Sequence, residues 1–131
     1  MRSFVRKAAW GLAGGLVLLA LTGAARPLVL AKASGGSWEI EGVPGAPARQ
    51  RLCVADPALL AQFEHRGTSC TRVVIRDGPS SAEVHYTCAG GGFGQTTITQ
   101  LTPRSLRVET QGISRNAPFH YTFQARRMGN C

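Results

Sequence analysis

The sequence predicts an all-β domain: an antiparallel meander of about seven strands, curled into a small barrel or sandwich, with one short helix and two disulfides. Two observations lead to this fold class. Short segments of alternating apolar and polar residues recur along the chain, with Gly- or Pro-containing turns between neighbours, which is typical of antiparallel sheets. The chain also has four cysteines, and an even number in a small exported domain indicates a disulfide framework.

Export is predicted by the first 33 residues, which have the layout of a secretory signal peptide. Met1–Lys7 is short and basic, and Ala8–Ala25 is uncharged and mostly apolar, the order that such leaders show. Ala31-Lys32-Ala33 fits the Ala-x-Ala cleavage pattern, so we predict a leader over residues 1–33 and a single domain over residues 34–131.

Two alternatives to this leader stay open. Thr22-Gly23-Ala24 offers a second cut, and an uncleaved membrane anchor would use the same apolar run. That run is short for a membrane span and contains four glycines, which weaken a helix. After cleavage we expect no stable membrane anchor, and in every case the domain lies outside the cytoplasm, in the periplasm or the medium.

The net charge argues against a nucleic-acid partner. The whole chain carries a formal +8, but the first 33 residues hold five basic residues and no acid. Residues 34–131 hold ten arginines and seven acids, a net +3. These arginines are scattered and form no basic stripe with interleaved aromatics, so binding to nucleic acid is not predicted.

The strands follow from alternation and β-branched content. Trp38 and Ile40 alternate with Glu39 and Glu41 in the first strand, and five of the other six show the same period of two or are rich in β-branched residues. Arg49–Val54 can form the remaining strand. The predicted strands are Ser37–Val43, Arg49–Val54, Cys70–Asp77, Ala82–Cys88, Gln95–Leu101, Leu106–Gln111 and His120–Ala125. Gly112–Pro118 is predicted as a loop before the last strand.

One helix interrupts the strands. Asp56 is a good helix N-cap and Pro57 suits the first helical position. Leu59, Leu60 and Phe63 then form an apolar stripe. We therefore predict a short helix over Pro57–His65.

The four cysteines allow three pairings. Cys53 and Cys70 flank the predicted helix, which would make a local closure, and Cys88 is then left for Cys131. We predict Cys53–Cys70 and Cys88–Cys131, with the second bridge holding the chain end. No pair has the Cys-x-x-Cys spacing of a redox motif or zinc knuckle.

The sequence predicts no catalytic, metal or cofactor site. The glycine-rich segment Ala89–Gly94 precedes a strand rather than a helix, so a hairpin loop is favoured over a phosphate-binding loop. His65, His85 and His120 lack metal-ligand spacing, although His85 and His120 share the outward face of the strands and could meet there. No Gly-x-Ser-x-Gly motif is present. We expect the protein not to be an enzyme.

Four aromatic residues on inward strand faces are the candidate binding residues. A β-barrel can hold an apolar ligand in its interior, so these side chains either line a cavity or fill the core. They are Trp38, Tyr86, Tyr121 and Phe123.

Four short motifs resemble a family of small exported bacterial proteins known as "domain of unknown function 3617". Gly36-Ser37-Trp38-Glu39 resembles its Gly-Leu-Trp-Glu opening, Cys88-Ala89-Gly90-Gly91 its central Cys-x-Gly-Gly, and Arg126–Cys131 its Arg-Arg-Leu-Gly-x-Cys ending. Cys53 and Cys70 fall where the other two family cysteines would. The resemblance implies an envelope location and two disulfides, and it implies no activity.

Two functions are therefore expected. The first is a non-catalytic envelope module that binds a small apolar or lipid-like ligand. The alternative is a protein-interaction module, such as an inhibitor or accessory of an envelope enzyme, that uses an exposed loop at Gly90–Gly94 or Gly112–Pro118.

Overall fold

A computed structural model describes residues 26–131 as one antiparallel sheet of seven strands, with two helical segments on one of its faces. Residues 1–25, which hold the basic segment and the apolar run of the predicted leader, lie outside the described residues. The strands are β1 (Gly36–Glu41), β2 (Arg49–Val54), β3 (Cys70–Asp77), β4 (Ser81–Cys88), β5 (Phe93–Thr102), β6 (Ser105–Ser114) and β7 (Ala117–Gly129).

The strand order confirms the predicted meander and shows that the sheet is open. The order is β2-β1-β7-β6-β5-β4-β3, and every neighbouring pair is antiparallel. Strands β3 to β7 follow one another as hairpins, and the β1–β2 hairpin joins the sheet beside β7. Because β2 and β3 lie at opposite ends of the order, the sheet fits the sandwich or curled-sheet form of the prediction rather than a closed barrel.

The predicted helix forms over the residues expected of it, as a 3₁₀ helix at Pro57–His65. The Asp56 carboxylate caps it by accepting a hydrogen bond from the Ala58 N–H at 3.0 Å. Leu60 and Phe63 are buried against the sheet. This helix connects β2 to β3, so it carries the chain from one end of the sheet to the other.

A second, shorter helix was not predicted. Helix α1 spans Leu28–Ala31, within the stretch assigned to the leader, and it buries Val29 and Leu30. These two side chains join the single core cluster formed by the inward faces of the strands and the 3₁₀ helix.

The predicted disulfide pairing is wrong. The bridges are Cys53–Cys131 and Cys70–Cys88. Cys53 lies in β2 and Cys70 in β3, at opposite ends of the sheet, so the closure around the helix cannot form. Cys70 is instead the direct cross-strand partner of Cys88, while Cys131 follows β7 and reaches across β1 to Cys53. The chain end is tethered, as expected, but to the first hairpin.

The two bridges also bear on the compartment. Disulfides persist in oxidising surroundings and are rare in the cytoplasm. Two disulfides that join all four cysteines indicate an oxidising, extracytoplasmic compartment.

The predicted loop at Gly112–Pro118 is also wrong. Strand β6 continues to Ser114 and β7 begins at Ala117, so the hairpin turn has two residues. Arg115 and Asn116 both have positive φ, 52° and 61°, which is the conformation that two-residue hairpin turns favour. An Arg-Asn pair is a weak sequence signal for such a turn, because Asn-Gly and Asp-Gly are its usual residues.

Candidate functional site

The candidate site is a groove of about 650 Å³ on the sheet face opposite the helices, here called the outer-face groove. It crosses β3 to β7 near the end of the molecule where the β4–β5 and β6–β7 hairpins turn. Cross-strand partners on this face form rows that run from β3 to β7, each about 19 Å long at a strand spacing of about 4.8 Å.

The first row borders the hairpin turns and is mainly apolar. Phe93 at its centre is 48% exposed, and its ring is on the side of the sheet that faces solvent. The members are successive cross-strand partners: Thr71, Thr87, Phe93, Ile113 and Pro118.

The second row supplies hydrogen-bonding side chains. Val73 begins it and is 54% exposed. The other members are amide and imidazole side chains, so the groove pairs an apolar strip with a polar one. The row consists of Val73, His85, Gln95, Gln111 and His120.

Two glutamates in the next row along the strands contact the polar side chains of the second row. This third row contains Glu83, Thr97 and Glu109. The Glu83 carboxylate accepts a hydrogen bond from Gln95 Nε2 at 2.6 Å and lies 2.9 Å from His85 Nε2. The hydrogen bonds with His85 and then Gln95 hold the pKa of the Glu83 carboxyl below its ordinary value. Glu109 lies 3.4 Å from His120 Nε2 in a similar arrangement.

The two outward histidines do not meet. His85 is in β4 and His120 in β7, so β5 and β6 separate them by about 14 Å, three strand spacings. Each histidine contacts a glutamate rather than the other histidine. Among residues 26–131, no group of three or more His, Cys, Asp or Glu residues is arranged to hold a metal ion.

A pair of glycines forms the backbone beneath the groove. Gly94 and Gly112 are cross-strand partners in β5 and β6, and both border the groove. A methyl group on Gly94 would lie 2.5 Å from the Tyr86 hydroxyl oxygen. One on Gly112 would lie 2.6 Å from the Gly94 Cα and closer still to the Phe93 carbonyl. Gly112 therefore allows the close approach of β5 and β6, and Gly94 leaves the space that the Tyr86 ring occupies.

The four predicted aromatic residues belong to the opposite face. Trp38, Tyr86 and Phe123 are 2%, 2% and 1% exposed, and Tyr121 is partly buried against the same cluster. Phe123 stacks on Phe63 of the 3₁₀ helix, with ring centroids 4.5 Å apart. These side chains fill the space beneath the helix, and of the four Tyr86 also borders the outer-face groove.

A polar network crosses the core at the same end of the molecule. Thr96 Oγ1 donates to the Ala61 carbonyl at 2.8 Å and pairs with Thr110 Oγ1 at 2.9 Å. The Tyr86 hydroxyl lies 2.9 Å from His65 Nδ1, and the Tyr121 hydroxyl donates to Glu64 Oε2 at 2.7 Å. Glu64, His65 and Arg115 border a second, more polar cleft, but the first two are already engaged by the tyrosines.

Both tyrosines of the chain resist ionisation in this setting. Burial raises the pKa of Tyr86 to about 12. Burial, and then the hydrogen bond to Glu64, raises the pKa of Tyr121 well above its ordinary value. A raised folded-state pKa gives stability that is complete below the unfolded value, near pH 10, and is lost as pH rises through the folded value.

We therefore expect the folded protein at about pH 10.5 to show little tyrosinate absorbance, while the same protein in urea shows more than half of its tyrosine ionised. Ultraviolet titration in the two solvents measures this. Tyr86→Phe and Tyr121→Phe should each remove half of the signal in urea. Equal ionisation of the folded and unfolded protein would contradict the burial of these hydroxyls.

The glycine-rich segment is a hairpin turn, as predicted. It joins β4 to β5, with Gly90 and Gly91 at φ of 90° and 98°. Two of its backbone N–H groups are used internally: Gly91 donates to the Cys88 carbonyl at 3.3 Å and Ala89 to the Ser69 carbonyl at 3.0 Å. Strand β5, not a helix, follows it, so the geometry of a phosphate-binding loop does not arise.

Comparison of the chain with protein-family models, curated proteins and solved structures found no match. The likeness to the "domain of unknown function 3617" family therefore stays a prediction from the sequence motifs. Within the part of the chain that the structure describes, no helix has the length and apolar character needed to cross a membrane.

Proposed function

We propose that the protein is an exported, non-catalytic binding module whose outer-face groove takes an elongated apolar ligand, such as a lipid acyl chain. One observation carries the proposal. Phe93, Ile113 and Pro118 form an apolar run across β5, β6 and β7 in the first row, at positions where a small antiparallel sheet with one packed face presents polar residues to water.

The contrast within the outer face supports a site rather than scattered exposure. Thr97, Thr99, Arg107 and Glu109 occupy the same strands β5 and β6 farther from the hairpin turns and are polar, as expected for a solvated face. Phe93, Ile113 and Pro118 are cross-strand neighbours in the first row, and Val73 lies in the next row. The other exposed large apolar residues of the sheet lie outside the groove on three strands that are not neighbours: Ile75, Leu101 and Met128. A contiguous exposed apolar patch of this kind is typical of an interaction site.

The lining chemistry defines the ligand class. Among the described residues that border the groove, none is Asp, Glu, Lys or Arg, so no fixed charge attracts or pairs with an ionic group. Gln95 and Gln111 offer amide donors and acceptors beside the apolar strip. The volume of about 650 Å³ lies within the roughly 300–1,000 Å³ that ligand sites usually have. An acyl chain with an uncharged polar group fits these features.

The proposed location is the periplasm or the medium, reached through a cleaved signal peptide. The basic and apolar segments at the start of the sequence support export, and so does the resemblance to the "domain of unknown function 3617" family. The two disulfides need an oxidising compartment, and both the periplasm and the medium are oxidising.

Strand β3 favours the alternative, a protein-interaction module. It is at the end of the sheet, and Val73 and Ile75 on it are 54% and 53% exposed. An unpaired sheet edge with β-branched residues can accept a strand from a partner protein. This surface would replace the predicted contact at Gly112–Pro118, since that segment is strand and tight turn.

A fluorescent ligand test separates the groove from other surfaces. We expect the uncharged probe N-phenyl-1-naphthylamine to brighten when mixed with the protein and to be displaced by a monoacylglycerol. Phe93→Glu should weaken probe binding at least tenfold, because it places a charge in the centre of the apolar row; a tenfold loss corresponds to about 1.4 kcal/mol.

The matched control is Thr99→Glu, which adds the same charge on the same face of the same strand, but outside the groove. It should leave probe binding unchanged. Equal loss in both variants, or no loss in Phe93→Glu, would contradict a site in the outer-face groove. If a β3 variant such as Ile75→Lys abolishes probe binding, the probe binds at the sheet edge rather than in the groove.

A further inference from the structure

We propose that the signal peptide is cut N-terminal to Arg26, after Ala24 or Ala25, and that residues 26–33 stay in the mature protein as part of its core. This inference rests on the proposed export. It replaces the cleavage site after Ala33 that the Ala31-Lys32-Ala33 pattern predicts.

Helix α1 is an integral part of the hydrophobic core. Val29 is 1% exposed and Leu30 is 0% exposed, and both belong to the same cluster as Ala82 and Ile98 of the sheet. Ala33, directly before the predicted new N-terminus, packs against that cluster as well. The helix contacts strands β4 and β5, which the 3₁₀ helix also contacts, so the two helical segments share the cover of this part of the sheet.

Polar contacts fix the same segment at three separate places. The Leu28 N–H donates to the Asp77 carboxylate at the end of β3, at 2.9 Å. Lys32 Nζ donates to the Pro79 carbonyl in the β3–β4 turn at 3.1 Å. The Arg26 guanidinium donates to the Asp56 carboxylate at 2.7 Å. Each contact is exposed and weak alone, but together they set the position and direction of α1.

A cut after Ala33 would remove two fully buried side chains from the core. The sheet surface beneath them would then be open to water, and neighbours such as Ala82 are too small to refill the space. Deleting buried side chains costs both their transfer free energy and the cavity that remains. A cut before Arg26 avoids this loss.

The sequence contains two suitable cleavage patterns immediately before Arg26. Thr22-Gly23-Ala24 and Gly23-Ala24-Ala25 both place small residues where a signal peptidase requires them. Either cut removes the apolar run of Ala8–Ala25, apart from Ala25 itself when the cut follows Ala24. This run is the part of the leader that would otherwise remain as an anchor.

The direct test is N-terminal sequencing and intact mass of the protein purified from the envelope of a cell that exports the full chain. We expect the mature chain to begin at Ala25 or Arg26. A chain that begins at Ser34 would overturn the inference while leaving export intact. An intact chain that begins at Met1 would overturn the inference and the proposed cleaved leader together.

A stability measurement on the same exported protein tests the role of α1 separately. Leu30→Ala should lower the melting temperature by about 10 °C or more, because Leu30 is fully buried. The matched control is Leu28→Ala in the same helix, where the side chain is 50% exposed; it should shift the melting temperature by less than about 2 °C.

The milder Val29→Ala keeps the test usable if Leu30→Ala does not fold, and it should give an intermediate shift. If residues 26–33 are removed with the leader, none of the three substitutions survives in the mature chain. Unchanged melting temperatures in all three variants would therefore overturn the inference.

Discussion

Replacing Cys53 and Cys131 together with serine is expected to lower the free energy of unfolding by about 4 kcal/mol. The bridge joins residues 78 apart in sequence, so it removes much of the entropy of the unfolded chain, and it holds β7 against the β1–β2 hairpin. Urea unfolding followed by Trp38 fluorescence measures the change, because Trp38 is buried and the second tryptophan, Trp10, lies in the predicted leader.

The matched control is the double serine variant of Cys70 and Cys88, whose closed segment spans 18 residues. It should lose about 3 kcal/mol by the same reasoning. Single variants test the pairing itself. Cys53→Ser should leave Cys131 as the free thiol, and mapping of a free thiol to Cys70 instead would contradict the observed connectivity.

Gly112→Ala is expected to lower the free energy of unfolding by about 3 kcal/mol, a large effect for one methyl group. The added carbon would meet the Phe93 carbonyl and the Gly94 Cα. Both are backbone atoms of the neighbouring strand, so neither can rotate away, and β5 and β6 must separate. Urea unfolding measures the loss, and the probe should bind more weakly because the floor of the outer-face groove is displaced.

Gly67→Ala is the control for this substitution. Nothing lies within 4 Å of a methyl group on Gly67, so its effect should be below about 0.5 kcal/mol in either direction. A loss in Gly112→Ala no larger than that in Gly67→Ala would contradict the close approach of β5 and β6.

The fold could be predicted from the sequence because its pattern is local. Alternation of apolar and polar residues sets which face of each strand is buried, and this is visible in segments such as Trp38–Glu41. The 3₁₀ helix could also be predicted, because the residues that mark its start, Asp56 and Pro57, are adjacent to it in the sequence. Helix α1 could not be predicted because its apolar residues closely follow the apolar run Ala8–Ala25 and resemble part of it.

The disulfide pairing could not be predicted because it depends on strand order. Proximity along the chain favours Cys53 with Cys70, yet the connection that contains the helix runs from β2 to β3, at opposite ends of the strand order. Only the order β2-β1-β7 brings the chain end close to Cys53. Cysteines that are close in sequence are therefore far apart in the sheet. The alternation of apolar and polar residues shows which face of a strand is buried, but not which strands are neighbours.

The sequence does not predict the outer-face groove, because its two central apolar residues fall in predicted loops. Phe93 lies in the glycine-rich segment and Ile113 in the predicted loop at Gly112–Pro118. A usable signal was present in the alternation. Phe93 continues the outward series of Gln95 and Thr97, and Ile113 continues that of Glu109 and Gln111, so longer strands would have placed both on the outer face.

The most direct test of the proposed site is amide chemical-shift mapping of the protein with a monoacylglycerol. A ligand in the outer-face groove should shift the amide signals of Gly94, Gln95, Gln111 and Gly112 and leave those of Trp38 and Ile40 in β1 unchanged. Shifts concentrated at Trp38 and Phe123, or no shifts at ligand concentrations that displace the probe, would contradict binding in the groove.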